Sequence, residues 1–176
     1  MSEQLANASA VAEMVQYLAE QIHRSSDKQV ALVGIHTGGV PIAKRIAAAI
    51  QTLGGAEPLL GETDITLYRD DLYTGLENPS LGVTRLPFSV DGARIILVDD
   101  VLFTGRTVRA AVDLIMDYGR PAYIKLAVLV DRGHRELPIA ADFVGTTIQT
   151  KLADRVTVAL RETDEREDEI AIQRRT

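Results

Sequence analysis

The chain has 176 residues and a formal net charge of −6, so it is long enough for one sizeable core, and its acidity argues against broad, nonspecific nucleic-acid binding. It contains no cysteine, which excludes disulfides, thiol nucleophiles and Cys-ligated zinc. Hydrophobic residues make up 46% of the sequence, but no apolar run approaches the length of a membrane span, and no targeting segment is recognisable at the start. We expect a single cytoplasmic domain over residues 1–176 that does not associate with membranes.

The first part of the chain alternates helical and strand patterns. Apolar residues recur at helical spacing over residues 5–22, and residues 30–35 are typical of a buried strand. A helix is predicted over residues 41–50, with a proline in its first turn, and two consecutive glycines end it. A further strand is predicted over residues 65–68. This alternation is typical of an α/β fold.

The turn between the first strand and its helix contains Thr37, Gly38 and Gly39. Small residues let backbone N–H groups approach a highly charged group such as a phosphate. The turn lacks the Gly-Lys-Ser/Thr ending of a P-loop and the spacing of a dinucleotide-binding fingerprint. Taken alone, the turn is explained as an ordinary tight connection between a strand and a helix. A second phosphate site elsewhere in the chain would favour the interpretation that it binds phosphate.

Residues 95–107 carry the most informative pattern. A β-branched apolar strand, predicted over 93–98, runs into Asp99 and Asp100, and a short polar loop then opens a helix predicted over 107–118. Backbone N–H groups from Thr104 to Thr107, at a helix N-terminus, would converge on a phosphate. The paired carboxylates suit sugar hydroxyls, or a hydrated Mg²⁺ carried by the ligand. The stretch therefore predicts binding of a ribose 5-phosphate.

The acidic pair has two other interpretations. A receiver domain also ends a strand in two aspartates, but it needs roughly a hundred further residues after them, and too little chain remains. One aspartate alone is able to cap the following helix. Capping explains neither the second aspartate nor the Thr-Gly-Arg-Thr sequence that follows.

The rest of the chain continues the α/β alternation. A parallel strand is predicted over 122–130, and shorter strands at 143–144, 156–160 and 170–172 are expected to form a small cap. The predicted fold class is α/β, with a twisted, mainly parallel sheet, helices on both faces and a small C-terminal β cap.

Residues 95–107 resemble the phosphoribosyl pyrophosphate (PRPP) motif of type I phosphoribosyltransferases, which has a hydrophobic strand, two acidic residues, a spacer and Thr-Gly-x-Thr. Residues 61–72 (GETDITLYRDDL) and 126–139 (LAVLVDRGHRELPI) are similar to one branch, the bacterial pyrimidine operon regulators that are also uracil phosphoribosyltransferases. The resemblance implies the type I phosphoribosyltransferase fold. It also implies an enzyme that makes UMP and pyrophosphate from uracil and PRPP, with Mg²⁺ bound to the PRPP.

The resemblance also assigns roles to residues. It implies catalytic roles for Asp99, Asp100 and Arg69, with both aspartates bearing indirectly on substrate-bound Mg²⁺, and it implies a pyrimidine site at Val130, Asp131 and Arg132. The residues implied to bind PRPP or UMP are Thr37, Gly38, Gly39, Asp99, Asp100, Val101, Leu102, Phe103, Thr104, Gly105, Arg106 and Thr107. Relatives in this branch commonly have arginine where this chain has Gly38.

The long polar stretch after Tyr68 is interpreted as a lid that closes over PRPP and excludes water, with Arg69 pairing to pyrophosphate. A solvated, variable insertion is the alternative.

Two rival functions remain open at this point. One is a purine phosphoribosyltransferase. The other is an RNA-binding attenuator that senses UMP or UTP and binds a pyrimidine operon leader, with weak or no catalysis. Such an RNA-binding face needs clustered basic residues, yet residues 5–22 carry no lysine or arginine. Ala140, Thr146 and Leu152 occupy positions that tend to be basic in RNA-binding relatives, and Arg135, Lys151 and Arg155 remain. The resemblance further implies a homo-oligomer, a dimer or larger.

Overall fold

Helices and strands alternate along most of the chain in the computed structural model, which describes residues 2–66 and 83–175. In chain order the elements are β1 (Ser2–Ala6), α1 (Ala8–Ser25), β2 (Ala31–Ile35), α2 (Gly39–Thr52), β3 (Leu59–Thr63), β4 (Arg94–Leu102), α3 (Arg106–Tyr118), β5 (Tyr123–Asp131), β6 (Phe143–Thr147), β7 (Arg155–Ala159), α4 (Arg161–Asp164) and β8 (Glu169–Gln173).

The main sheet is parallel throughout, in the order β3-β2-β4-β5-β6. Its central strands are apolar on both faces because helices cover both sides. On one side α1 and α2 pack on Leu32 and Ile96, and on the other side α3 packs on Val33 and Leu97. The predicted sheet, with helices on both faces, is therefore confirmed.

The second, smaller sheet is antiparallel, in the order β1-β8-β7. It corrects two details of the predicted cap. The N-terminal residues Ser2–Ala6 supply one of its strands, although no strand was predicted there. The strand predicted at 143–144 belongs instead to the edge of the main sheet, because Ala127 of β5 pairs with Phe143 in parallel.

Several element boundaries also differ from those predicted. The third strand is Leu59–Thr63, where Leu59 lies beside Ala31 in register with β2. Of the strand predicted over 65–68, residues 65 and 66 are not in a strand, and 67–68 lie outside the described residues. The first helix starts at Ala8 because Asn7 caps it: the Asn7 side chain accepts a hydrogen bond from Ala10 N at 3.0 Å. Strand β4 continues through both aspartates to Leu102, so the carboxylates lie on the strand and not in the loop after it. No helix in the described ranges is long and apolar enough to cross a membrane.

Candidate active site

The two predicted phosphate loops meet at the carboxyl ends of β2 and β4. These strands are parallel neighbours, and Gly34 pairs with Val98. From β2 the chain continues outward to β3, whereas from β4 it continues outward to β5 on the opposite side. The crevice between β2 and β4 is thus a topological switch point, where open α/β sheets bind their ligands.

The turn after β2 lies directly against β4. A Cβ atom on Gly39 would lie 2.1 Å from the Val98 carbonyl oxygen, so only glycine lets the start of α2 approach the strand this closely. The peptide bond between His36 and Thr37 in this turn is cis. Thr37 is exposed and Gly38 is half-buried, so the turn presents its backbone at the mouth of the crevice.

The loop after β4 encloses a cavity of about 350 Å³. Gly105 has φ +91°, a left-handed conformation that L side chains rarely adopt, and it directly precedes the first residue of α3. The cavity therefore lies at the N-terminus of a 13-residue helix, a favourable place for an anion. It is lined by Asp99, Val101, Leu102, Phe103, Thr104, Gly105, Arg106, Thr107, Val108 and Glu136.

The two aspartates face different parts of the crevice, as successive residues of a strand do. Asp99 is buried, lines the cavity of the β4–α3 loop and accepts a hydrogen bond from Asp100 N at 3.0 Å. Asp100 is half-buried, and one of its oxygens accepts a hydrogen bond from Val101 N at 2.7 Å. Its other oxygen lies against Gly38. The acidic pair therefore touches both loops.

The segment after β5 supports the β4–α3 loop from outside. Glu136 N donates to the Thr104 carbonyl at 2.9 Å, and the Glu136 carboxylate pairs with Arg106 at 2.6 Å. Arg135 donates to the Phe103 carbonyl at 2.9 Å and also pairs with Asp131. The Arg135 side chain is thus half-buried and hydrogen-bonded within the protein, whereas Lys151 and Arg155 are exposed.

The three residues predicted to bind the base are buried or hydrogen-bonded within the protein. Val130 is fully buried, and the Asp131 carboxylate accepts hydrogen bonds from Gly133 N and Arg135. The Arg132 guanidinium lies 4.0 Å from the centre of the Phe103 ring and donates to the carbonyls of Asp154 and Lys151. Burial lowers the pKa of Arg132, and the nearby Asp154 charge opposes this shift.

A second cavity, of about 400 Å³, adjoins the first and shares Val101 and Phe103 with it. Its other lining residues are Arg132, Leu152, Ala153, Asp154, Arg155, Val156 and Arg175. The sequence did not indicate that residues 152–156 line a ligand site, because they carry no recognisable motif. The smaller sheet brings them over the loop that carries Phe103.

Arg69 and the predicted lid lie outside the described residues. The other predicted residues of the two loops come together at the crevice. Among the residues that the structure describes, no group of three or more histidine, aspartate or glutamate side chains is arranged to hold a metal by itself. Mg²⁺ is commonly held by one or two carboxylates together with substrate phosphates, so the Asp99–Asp100 pair fits an ion that arrives with a phosphorylated substrate.

Comparison with known proteins agrees with this geometry. The family model described as "Phosphoribosyl transferase domain" matches residues 1–161. Bifunctional protein PyrR of Chloroflexus aurantiacus is 60% identical over 78% of this chain and 75% of its own length. Bifunctional protein PyrR of Roseiflexus sp. is 46% identical over 99% of this chain and 96% of its own length.

Solved structures show the same fold at low sequence identity. The hypoxanthine phosphoribosyltransferase of Trypanosoma cruzi superposes with a TM-score of 0.74 at 16% identity, covering 99% of this chain and 97% of that one. A hypoxanthine-guanine phosphoribosyltransferase of Bacillus anthracis gives 0.71 at 18% identity, covering 96% of each chain. With the domain match and the curated relatives, these findings show that the chain belongs to the phosphoribosyltransferase family, in the group of the bifunctional PyrR proteins.

Proposed function

We propose that the protein transfers the phosphoribosyl group of PRPP to uracil, giving UMP and pyrophosphate. The observation that carries this proposal is the arrangement of the crevice: a turn suited to pyrophosphate, an acidic pair and a helix N-terminus suited to the 5-phosphate lie in succession. An adjoining cavity between Phe103 and Leu152 has room for a base. Membership of the phosphoribosyltransferase family and the high identity to bifunctional PyrR proteins support the same assignment.

In the proposed reaction the bond from ribose C1 to the pyrophosphate oxygen breaks, and positive charge develops on the sugar. A uracil ring nitrogen then forms the new bond to C1, and its proton passes to the departing pyrophosphate. Asp99 and Asp100 hold the ribose hydroxyls, and the backbone N–H groups of 104–107 hold the 5-phosphate. Thr37, Gly38 and Gly39, with Arg69, bind the departing pyrophosphate. Orientation and electrostatic stabilisation account for the catalysis, without a covalent enzyme intermediate.

The Mg²⁺ that accompanies PRPP would neutralise charge on the leaving pyrophosphate. The carboxylates of Asp99 and Asp100 are the residues that would bear on this ion indirectly, through the substrate that carries it. Each of them already accepts a backbone hydrogen bond that fixes its orientation. The acidic pair is therefore preorganised before the substrate binds.

The test is formation of nucleotide monophosphate and pyrophosphate from PRPP and Mg²⁺, with uracil, hypoxanthine, guanine and adenine supplied in parallel. UMP from uracil alone supports the proposal. Product from a purine alone would replace it with a purine phosphoribosyltransferase. No product from any base, in a sample that unfolds cooperatively, would contradict the enzymatic role.

We propose RNA regulation as a second function because the relatives are named bifunctional. The proposed ligand is a pyrimidine operon leader, with UMP or UTP in the crevice as the effector. Lys151 and Arg155 are exposed basic residues beside the cavity proposed for the base. A nucleotide bound there would therefore lie close to these two positive charges. A gel-shift titration with a leader transcript, with and without UMP, tests this role. Absence of binding at low salt contradicts it.

A homo-oligomer, dimer or larger, is also part of the proposal. Leu59 and Leu60 are each 38% exposed on the edge strand β3, and Leu60 lines a groove that includes Val40, Ala43 and Pro87 as well as three charged residues. Large apolar side chains on a sheet edge favour association. Light scattering of the purified protein measures its oligomeric state. A monomeric mass at micromolar concentration contradicts the proposed homo-oligomer.

A further inference from the structure

The cavity proposed for the 5-phosphate has an acidic lining. Three of the described residues that line it carry charge, the carboxylates of Asp99 and Glu136 and the guanidinium of Arg106, so their formal charge is −1. A phosphate monoester brings a further charge of about −1.5 to −2 at pH 7. The attraction has to come from the backbone N–H groups at the start of α3 and from Arg106. Asp99 has a place in the proposed reaction, whereas the Glu136 carboxylate has none and opposes binding.

The guanidinium of this lining already binds a carboxylate. Arg106 Nε donates to Glu136 Oε2 at 2.6 Å. The two side chains are 37% and 49% exposed, so both partners of the ion pair reach solvent. A phosphate that enters the cavity either replaces the Glu136 carboxylate on Arg106 or binds beside it. In the first case an existing ion pair is lost, and in the second the two anions repel each other, so Glu136 lowers the affinity in both.

The backbone of Glu136 attaches its segment to the β4–α3 loop independently of the carboxylate. Glu136 N donates to the Thr104 carbonyl at 2.9 Å, and Leu137 N donates to the same oxygen at 3.3 Å. Glutamine at position 136 would keep these two hydrogen bonds, the size of the side chain and an oxygen that accepts from Arg106. The charge of Glu136 can therefore be removed without detaching the segment.

We infer that Glu136 limits the affinity of the cavity for the 5-phosphate, by competing with it for Arg106 and by repelling it. The inference rests on the proposed function, which assigns the 5-phosphate to this cavity. PRPP and UMP carry the same 5-phosphate, so Glu136 weakens the binding of substrate and product alike. Such uniform weakening leaves the chemical step unchanged and favours the departure of UMP.

The test is calorimetric titration of UMP and of ribose 5-phosphate into the full-length wild type and Glu136→Gln. We expect Glu136→Gln to bind both ligands about fivefold more tightly, the upper range for a partly exposed charge contact. Glu136→Ala should give the same gain, because it also removes the carboxylate. Uracil has no phosphate, so its KM at saturating PRPP should stay within about twofold of wild type. The gain should shrink in about 1 M NaCl, because salt screens exposed charges, and a purely structural change would not show this dependence.

Asp113→Asn is the matched control. Asp113 pairs with Arg109 at 3.0 Å on the same helix, and its side chain is 48% exposed. Its substitution changes the charge of the protein by the same amount, but Asp113 is not one of the residues that line the cavity. We expect its UMP affinity to stay within about twofold of wild type. An equal gain in Asp113→Asn and Glu136→Gln would show that overall charge is the cause, and it would overturn the inference.

The outcomes separate the inference from the function on which it rests. Wild type that binds UMP and makes it, together with a Glu136→Gln variant whose UMP affinity is unchanged, contradicts the inference alone. A weaker affinity contradicts it as well, because Glu136 would then hold Arg106 in place for the phosphate. Thermal unfolding checks that each variant is folded, and a transition close to that of wild type is expected. Wild type that neither binds nor forms UMP contradicts the proposed function and removes the inference with it.

Discussion

The guanidinium of Arg132 lies 4.0 Å from the centre of the Phe103 ring. The same group donates hydrogen bonds to the carbonyls of Asp154, at 2.8 Å, and Lys151, at 2.9 Å. Phe103 belongs to the β4–α3 loop, whereas residues 151–154 precede β7 of the smaller sheet. One buried side chain therefore joins the β4–α3 loop to the segment that lines the cavity proposed for the base.

Arg132→Met should impair uracil binding more than PRPP binding. Methionine keeps an apolar stem against Phe103 but loses both hydrogen bonds to the carbonyls, so the 151–154 segment loses its attachment. We expect KM for uracil to rise about tenfold and KM for PRPP to change less than threefold, consistent with the loss of roughly 1.5 kcal/mol of hydrogen bonding. Steady-state kinetics with each substrate varied in turn measures both values.

Arg155→Met is the control for this prediction. Arg155 lines the same cavity but is exposed, so its loss changes the charge without detaching the segment. A small change in both constants is expected. Equal rises of the two KM values in Arg132→Met would show that the side chain does not act selectively on the base side.

Replacing Asp99 and Asp100 together with asparagine should stop phosphoribosyl transfer while leaving the fold intact. Asparagine preserves the size of each side chain and an oxygen for the hydrogen bonds from Asp100 N and Val101 N. It removes the two negative charges to which the proposed function assigns the ribose hydroxyls and the substrate-bound Mg²⁺. We expect kcat/KM to fall by roughly a hundredfold or more, the usual cost of losing one electrostatic contact in an active site. Near-normal turnover would show that Asp99 and Asp100 do not have the catalytic roles proposed for them.

Local patterns in the sequence were sufficient to predict the two loops of the crevice, but not the segment 151–154 that lies beside them. The strand leading to Asp99 and the loop around Gly105 could be predicted because strand periodicity and helix-start chemistry are properties of adjacent residues. The contact between Gly38 and Asp100, and that between Arg132 and residues 151–154, join distant parts of the chain. The β1 strand was missed for the same reason, since its first four residues are exposed and it pairs with β8 at the other end of the chain.

Gly39→Ala should destabilise the protein substantially. The added Cβ would lie 2.1 Å from the Val98 carbonyl oxygen, and backbone atoms on both sides leave no side chain to move away. We expect the free energy of unfolding to fall by about 2 kcal/mol or more, the cost of overpacking a core. Urea unfolding followed by circular dichroism measures it.

Gly54→Ala is the matched comparison for Gly39→Ala. Gly54 has φ +79°, but no heavy atom lies within 4 Å of an added Cβ. Its substitution therefore carries backbone strain of about 1 kcal/mol without a collision. If the two variants lost equal stability, close packing of α2 on β4 would not be the reason for glycine at position 39.

The ion pairs of Arg45 should make stability depend on pH in the acid range. Arg45, on α2, donates to Glu162 at 2.8 Å and to Asp168 at 2.9 Å, which attaches the segment between β7 and β8 to the helix. The Arg45 side chain lowers the pKa of both carboxyl groups below their ordinary values of 4.5 and 3.8. Carboxyl groups with lowered pKa values stabilise the fold above those ordinary values and lose the effect as pH falls through the lowered ones.

Arg45→Met should therefore lower Tm by about 5 °C at pH 7, for a loss of roughly 2 kcal/mol, and the difference from wild type should shrink below about pH 4. Thermal unfolding between pH 2.5 and pH 7 measures this difference at each pH. Arg24→Met is the control, because Arg24 pairs with Glu20 at 3.7 Å on the exposed face of α1 and such pairs contribute little. A Tm difference for Arg45→Met that stays constant down to pH 2.5 would mean that the Arg45 side chain stabilises the fold by packing rather than by charge.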